Sequence, residues 1–121
     1  MPVKLLIRNT TKERVVTPAA DIADTSEKRR TGLLKHTELK AGEGLWIVPC
    51  EAVHTFAMKF PIDVVYLNKK RQVLKIVGAM KKSRMSICLR AHSVLELRAG
   101  WAAECGLAVG DQLEIVKQSV D

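Results

Sequence analysis

From Gly44 onward the sequence is a succession of short apolar runs cut apart by turn-forming residues, and this pattern constrains the fold more than any other feature. The runs are Leu45 to Val48, Val53 to Met58, Ile62 to Leu67, Val73 to Val77, Ser93 to Arg98 and Gln112 to Val116, and Pro49, Pro61, Asn68-Lys69-Lys70 and Gly110-Asp111 separate them. Segments this short, with period-two alternation and turn residues between them, predict strands rather than helices, and strands must pair and pack in layers. Ile62 to Leu67 is apolar on both faces except at Asp63, which predicts a central strand covered on both sides. Leu95 and Leu97 alternate with Glu96 and Arg98, which predicts one wet face. Upstream, Val3 to Arg8 reads as a strand, with a polar turn after it and Val15-Val16 as its return. Asp24 and Glu27 have capping-box spacing ahead of a short helix over Thr25 to Leu34, closed at or near Gly32. Ala99 to Cys105 predicts a second short helix stopped by Gly106. The expected fold is mainly β: a small antiparallel β-sandwich or partly open barrel with two short helices. A chain of 121 residues supports one core, so residues 1–121 are expected to form a single domain.

An apolar content of 47% with 27% charged residues excludes intrinsic disorder. No apolar run approaches the ~20 residues of a membrane-spanning helix, and charge interrupts the first apolar residues, so neither a membrane span nor a secretory signal is expected. Cys50, Cys88 and Cys105 contain no Cys-x-x-Cys pair, which argues against a disulfide framework and a zinc ribbon and favours the cytoplasm. The net charge of +7 is local: Val64 to Leu95 holds no acidic residue, while Lys69, Lys70, Arg71, Lys75, Lys81, Lys82, Arg84 and Arg90 lie inside it. That stretch reads either as a solvated turn and edge, where lysines discourage aggregation, or as a patch facing an anion or nucleic acid through Lys69, Lys70, Arg71, Lys81, Lys82 and Arg84. Tyr66 is its only aromatic residue, a poor stacking platform.

The densest unusual chemistry lies between Pro49 and Asp63. Cys50, His54 and Met58 share a parity with Phe56 and suggest a sulfur–imidazole metal site, but on a straight strand positions four apart are separated by about 13 Å. No metal and no cofactor are expected. The same spacing separates Cys50 from His54 as a nucleophile and base, unless the strand breaks. Asp63 is costly inside an apolar strand unless it is paired. It either accepts backbone N–H groups from the Phe60-Pro61 turn, pairs with an arginine such as Arg30, or lines a pocket.

The ordered set Arg29-Arg30-Thr31-Gly32-Leu33-Leu34, Gly44-Leu45-Trp46-Ile47, His54 through Leu67, Val94-Leu95-Glu96-Leu97-Arg98-Ala99-Gly100, Gly106-Leu107 and Gly110-Asp111 resembles the domain of unknown function 192 family, over about residues 21–116. The resemblance implies a compact β-sandwich-like fold with a short helix carrying the arginine–glycine–leucine motif, and no established activity, cofactor or substrate. Its signature residues fall on Arg30, Gly32, Leu33, Met58, Pro61, Asp63, Glu96, Gly100, Gly110 and Asp111. Leu34 stands where the family often has methionine, and the Met58-to-Pro61 turn is shorter than its commonest form. Many members of the family are exported.

Together these readings lead to a non-enzymatic module that binds a small ligand or serves an accessory role. Its candidate site is formed by Trp46, Cys50, His54, Phe56, Met58, Asp63, Glu96 and Arg30, with Trp101 as a further candidate wall. The alternative is the anion- or nucleic-acid-binding surface along Lys69 to Arg90, and the third reading is an enzyme with Cys50 as nucleophile.

Overall fold

A computed structural model describes residues 3–119; Met1, Pro2, Val120 and Asp121, the ends of the expected 1–121 domain, lie outside the described residues. The strands are β1 (Val3–Asn9), β2 (Arg14–Ala23), β3 (Gly44–Ile47), β4 (Ala52–His54), β5 (Ile62–Leu67), β6 (Val73–Met80), β7 (Met85–Ile87), β8 (Ser93–Arg98) and β9 (Leu113–Ser119). Helix α1 (Ser26–Thr31) lies between β2 and β3, and α2 (Trp101–Glu104) lies between β8 and β9. The fold is mainly β, as the alternation of the sequence predicts.

Seven strands form one sheet in the order β6-β5-β8-β3-β2-β1-β9, and β4 and β7 form a separate ribbon. The large sheet curls until its edges meet at one end. There Gln72 bridges Gln112, and Val73 and Leu113 donate to Asp111 and Arg71 at 2.9 Å each. The result is the partly open barrel rather than the sandwich. Every pairing but one is antiparallel; Asp21 to Ala23 of β2 run parallel to Leu45 to Ile47 of β3. A parallel pair cannot be closed by a tight turn, so the chain crosses over between these strands and carries α1 on the crossover.

Local chemistry explains where several elements stop. The Thr25 hydroxyl, not Asp24, caps α1 by accepting from Lys28 N at 3.2 Å, and Gly32 closes it at φ 48°. The strand expected over Val53 to Met58 is only β4, because the next residue, buried Thr55, anchors the 81–84 turn instead. Its hydroxyl donates to the Lys81 carbonyl at 2.6 Å and accepts from Arg84 N at 2.9 Å. That turn returns the chain as β7, the partner of β4.

Strands β3, β5 and β8 are covered on both faces. Trp46, Val65, Leu67, Leu95 and Leu97 point into the barrel with Leu5, Ile7 and Leu113. Leu45, Ile47, Val64, Tyr66 and Val94 point outward beneath Leu33, Val53 and Met58. The wet face expected of β8 shrinks to Arg98: Glu96 is only 5% exposed, because α1, its following loop and the β4–β7 ribbon cover that part of the strand.

Candidate functional site

Period-two geometry places the two buried acids of the central strands on opposite faces. Asp63 is paired across the ladder with Leu97, whereas Glu96 is paired with Val64 on one side and Leu45 on the other. Asp63 thus faces the barrel interior, and Glu96 faces the layer under α1.

The Asp63 carboxylate is fully occupied by backbone. Its Oδ1 accepts from Ala79 N at 2.7 Å and Gly100 N at 3.0 Å, and its Oδ2 accepts from Ala102 N at 2.9 Å. Gly100 adopts φ 89°, a conformation that only glycine takes readily, at the start of α2, and Ala79 sits at φ 47° where β6 is irregular. Asp63 pins both features to β5. It bonds backbone, as one expectation held, but the donors come from β6 and α2 rather than from the Phe60-Pro61 turn, and Arg30 is not its partner.

The Glu96 carboxyl has no hydrogen bond or ion pair among the described residues, and burial pushes it up to about 7. It lies in a cleft of about 620 Å³, where Arg29, Arg30, Cys50, His54 and Met58 also line the wall. Apolar contact comes from Leu33, Ile47 and Val53. Each side chain reaches the cleft for a local reason. The crossover carries Arg29 and Arg30 on α1, the break after β4 brings Met58 back toward the sheet, and the turn after β3 presents Cys50. Five of the eight expected site residues, Arg30, Cys50, His54, Met58 and Glu96, therefore converge there.

The other three do not join them. Trp46 faces the barrel interior with Arg71 stacked 5.2 Å from its ring centre. Phe56 is half exposed and stacks on His54 at 5.4 Å outside the cleft, and Asp63 lies on the other face. Trp101 donates to the Val16 carbonyl at 2.7 Å. Sequence reading missed Arg29, Ile47 and Val53, which carry no signal beyond helix and strand pattern, since only the packing of α1 and β4 over β3 and β8 assembles them.

The cleft can hold a proton near neutral pH and can offer Glu96 as donor or acceptor. The Cys50 thiol is pushed above its usual range, first by burial and also by Glu96, and it donates to the Ala52 carbonyl at 3.2 Å. No group of three or more histidine, cysteine, aspartate or glutamate residues able to hold a metal occurs among the described residues.

The six cations of the anion-facing alternative do not form one cluster. Lys69 and Lys70 sit in the turn before β6, while Lys81, Lys82 and Arg84 lie beyond its other end. Eight extended residues separate the two groups by about 25 Å. Arg71 is engaged by Trp46.

Comparison with known families and structures adds to this geometry. The model of the DUF192 family, described as "Uncharacterized ACR", matches residues 7–115. The chain belongs to the DUF192 family. No curated protein matches it significantly. Two crystal structures share the DUF192 chain's fold. A protein of unknown function from Novosphingobium aromaticivorans has 24% identity and a TM-score of 0.79, covering 92% of this chain and 83% of its own. A protein from Sinorhizobium meliloti described as a "putative transcription regulator" has 18% identity and a TM-score of 0.81, covering 93% and 92%. At these identities the likeness shows the fold alone, and the family itself is uncharacterised. Within this DUF192 chain the signature positions serve separate ends. Arg30, Met58 and Glu96 meet at the cleft, whereas Asp63 and Gly100 join β5 to α2. Asp111 holds its turn by accepting from Asn9 Nδ2 at 2.7 Å, from Ala108 N at 2.9 Å and from Lys12 at 3.0 Å.

Proposed function

We propose that the protein is a non-enzymatic binding module whose cleft takes a small, partly apolar ligand presenting a cationic amine or amidine to Glu96. The observation that carries this reading is the unpartnered Glu96 carboxyl, the one acid in a cleft whose wall mixes Arg29, Arg30 and His54 with the apolar Leu33, Ile47, Val53 and Met58. Asp63 shows what this chain does with a buried acid that serves structure: it supplies three backbone donors. Glu96 receives none, so its partner is to come from outside. A cationic head group would pair with the carboxylate and lower its pKa, recovering in the complex the cost of desolvation. Leu33, Ile47, Val53 and Met58 suit an apolar body, and Arg30, exposed at the rim, offers a contact for any anionic substituent. Three free thiols suit a reducing compartment, so we place the protein in the cytoplasm. Among the described residues no helix is long and apolar enough to cross a membrane.

Phenethylamine and benzamidine, with neutral phenethyl alcohol and benzamide as isosteres, test the reading by calorimetry and thermal shift. Both cations should bind and raise the melting temperature, the neutral isosteres should not, and Glu96→Gln should abolish the difference. Equal responses to the cations in the parent and in Glu96→Gln, or none in either, overturn the proposal.

A further inference from the structure

Beside the edge strand of the large sheet lies a second concave surface, separate from the cleft of Glu96. A groove of about 740 Å³ runs between β6 and β7, with Val77, Met80 and Ile87 as apolar wall and Lys75, Lys81 and Arg84 along its sides. Strand β6 pairs with β5 on one side only. Beyond Val73 it makes no backbone–backbone hydrogen bond on its other side among the described residues. The register His54↔Met85 and Ala52↔Ile87 turns Met85 and Ile87 to the outer face of the ribbon. Met85 is 72% and Ile87 55% exposed, so neither contributes to the core. Unpaired edge donors and acceptors, exposed apolar side chains and uncompensated positive charge therefore coincide on one strip of surface.

We infer that the groove beside β6 receives an extended segment of a partner protein, with acidic and apolar side chains in alternation, that adds to the sheet edge. Charge complementarity selects this occupant. No acidic residue lies between Val64 and Leu95, so the cations along the groove have no counterion from their own stretch of chain, and the ribbon's apolar side chains need an apolar counterpart. Strand addition supplies both, since main-chain bonds give affinity and alternate side chains meet two different surfaces. A nucleic acid fits less well because Tyr66, the stretch's only aromatic residue, is fully buried and offers no base a stacking face.

The test uses a fluorescein-labelled peptide of alternating glutamate and valine, an isomer with the same residues in two blocks, and a single-stranded oligothymidylate as probes in anisotropy titrations of the full chain. The alternating peptide should bind in preference to the block isomer, and Lys81→Glu and Ile87→Asp should each weaken it by roughly tenfold with the melting temperature unchanged. Amides of Leu74 to Val77 should gain protection from hydrogen exchange when that peptide is bound. If a variant lowers the melting temperature, exchange in the parent protein decides. The inference fails if the two peptides bind alike, if protection appears elsewhere, if no peptide binds, or if the oligothymidylate binds more tightly than the alternating peptide.

Discussion

Replacing Glu96 with glutamine should stabilise the protein above neutral pH and leave it nearly unchanged at about pH 5. The carboxyl is held at about 7 by burial against an ordinary value of 4.5, so ionising it costs about 3 kcal/mol more in the folded chain than in the unfolded one. The sign follows from proton counts. Between those two values the folded state keeps a proton that the unfolded state has lost, so stability falls as pH rises through the window and levels off above it. Glutamine matches the side chain's size and has no proton to lose, which removes that fall. A gain of about 3 kcal/mol corresponds to roughly 10 °C in the melting temperature of a chain this long. Urea unfolding of both proteins from about pH 5 to about pH 8.5 measures the effect directly. The reasoning is refuted if Glu96→Gln is no more stable than the parent at the alkaline end, or if the slope between the two pKa values survives the substitution. The same experiment bears on function, because a side chain that lowers stability in an unliganded cleft is what a binding site kept at the expense of the fold looks like.

Three further outcomes follow from the other buried groups. Asp63→Ala should lose at least about 3 kcal/mol in urea unfolding, since three inward N–H groups lose their acceptor, and Asp63→Asn should lose less because one oxygen remains. Neither should change discrimination between phenethylamine and phenethyl alcohol, since Asp63 faces away from the cleft. Burial pushes the Asp111 carboxyl up, but the Asn9 amide, Lys12 and the Ala108 N–H together hold it below its ordinary 3.8. Its contribution to stability is therefore present above that value and lost as pH falls through the depressed one, and Asp111→Asn should flatten the acid limb of the urea midpoint. Cys50 should react with iodoacetamide more slowly at about pH 7.5 than a free cysteine thiol does. Fast, selective labelling would restore the nucleophile reading.

Much of the fold is legible in the chain because it is written in local chemistry. The alternation and turn residues after Gly44 set out the strands, the apolar run of β5 marks a strand covered twice, and Gly32 and Gly106 end the helices where a positive φ is required. The cost of burying Asp63 is equally local, and it required a partner while leaving backbone donors, an arginine and a pocket ligand open; the structure supplies backbone donors. Which groups saturate it is not local. Ala79 and Gly100 are brought to Asp63 by a bend in β6 and by the entry to α2, and neither shows as a donor in sequence.

Sequence by itself thus determined that the chain is a mainly β fold with an obligate buried acid and an uneven positive charge. Tertiary structure alone decided which acid is free. The alternation of β8 assigns Glu96 and Arg98 to a common polar face, and only the crossover between β2 and β3, which lays α1 and its loop over that face, turns Glu96 into a buried, unpaired group while leaving Arg98 in water. The physical reason is that period two says which side chains share a face, but burial depends on what distant chain is packed against that face.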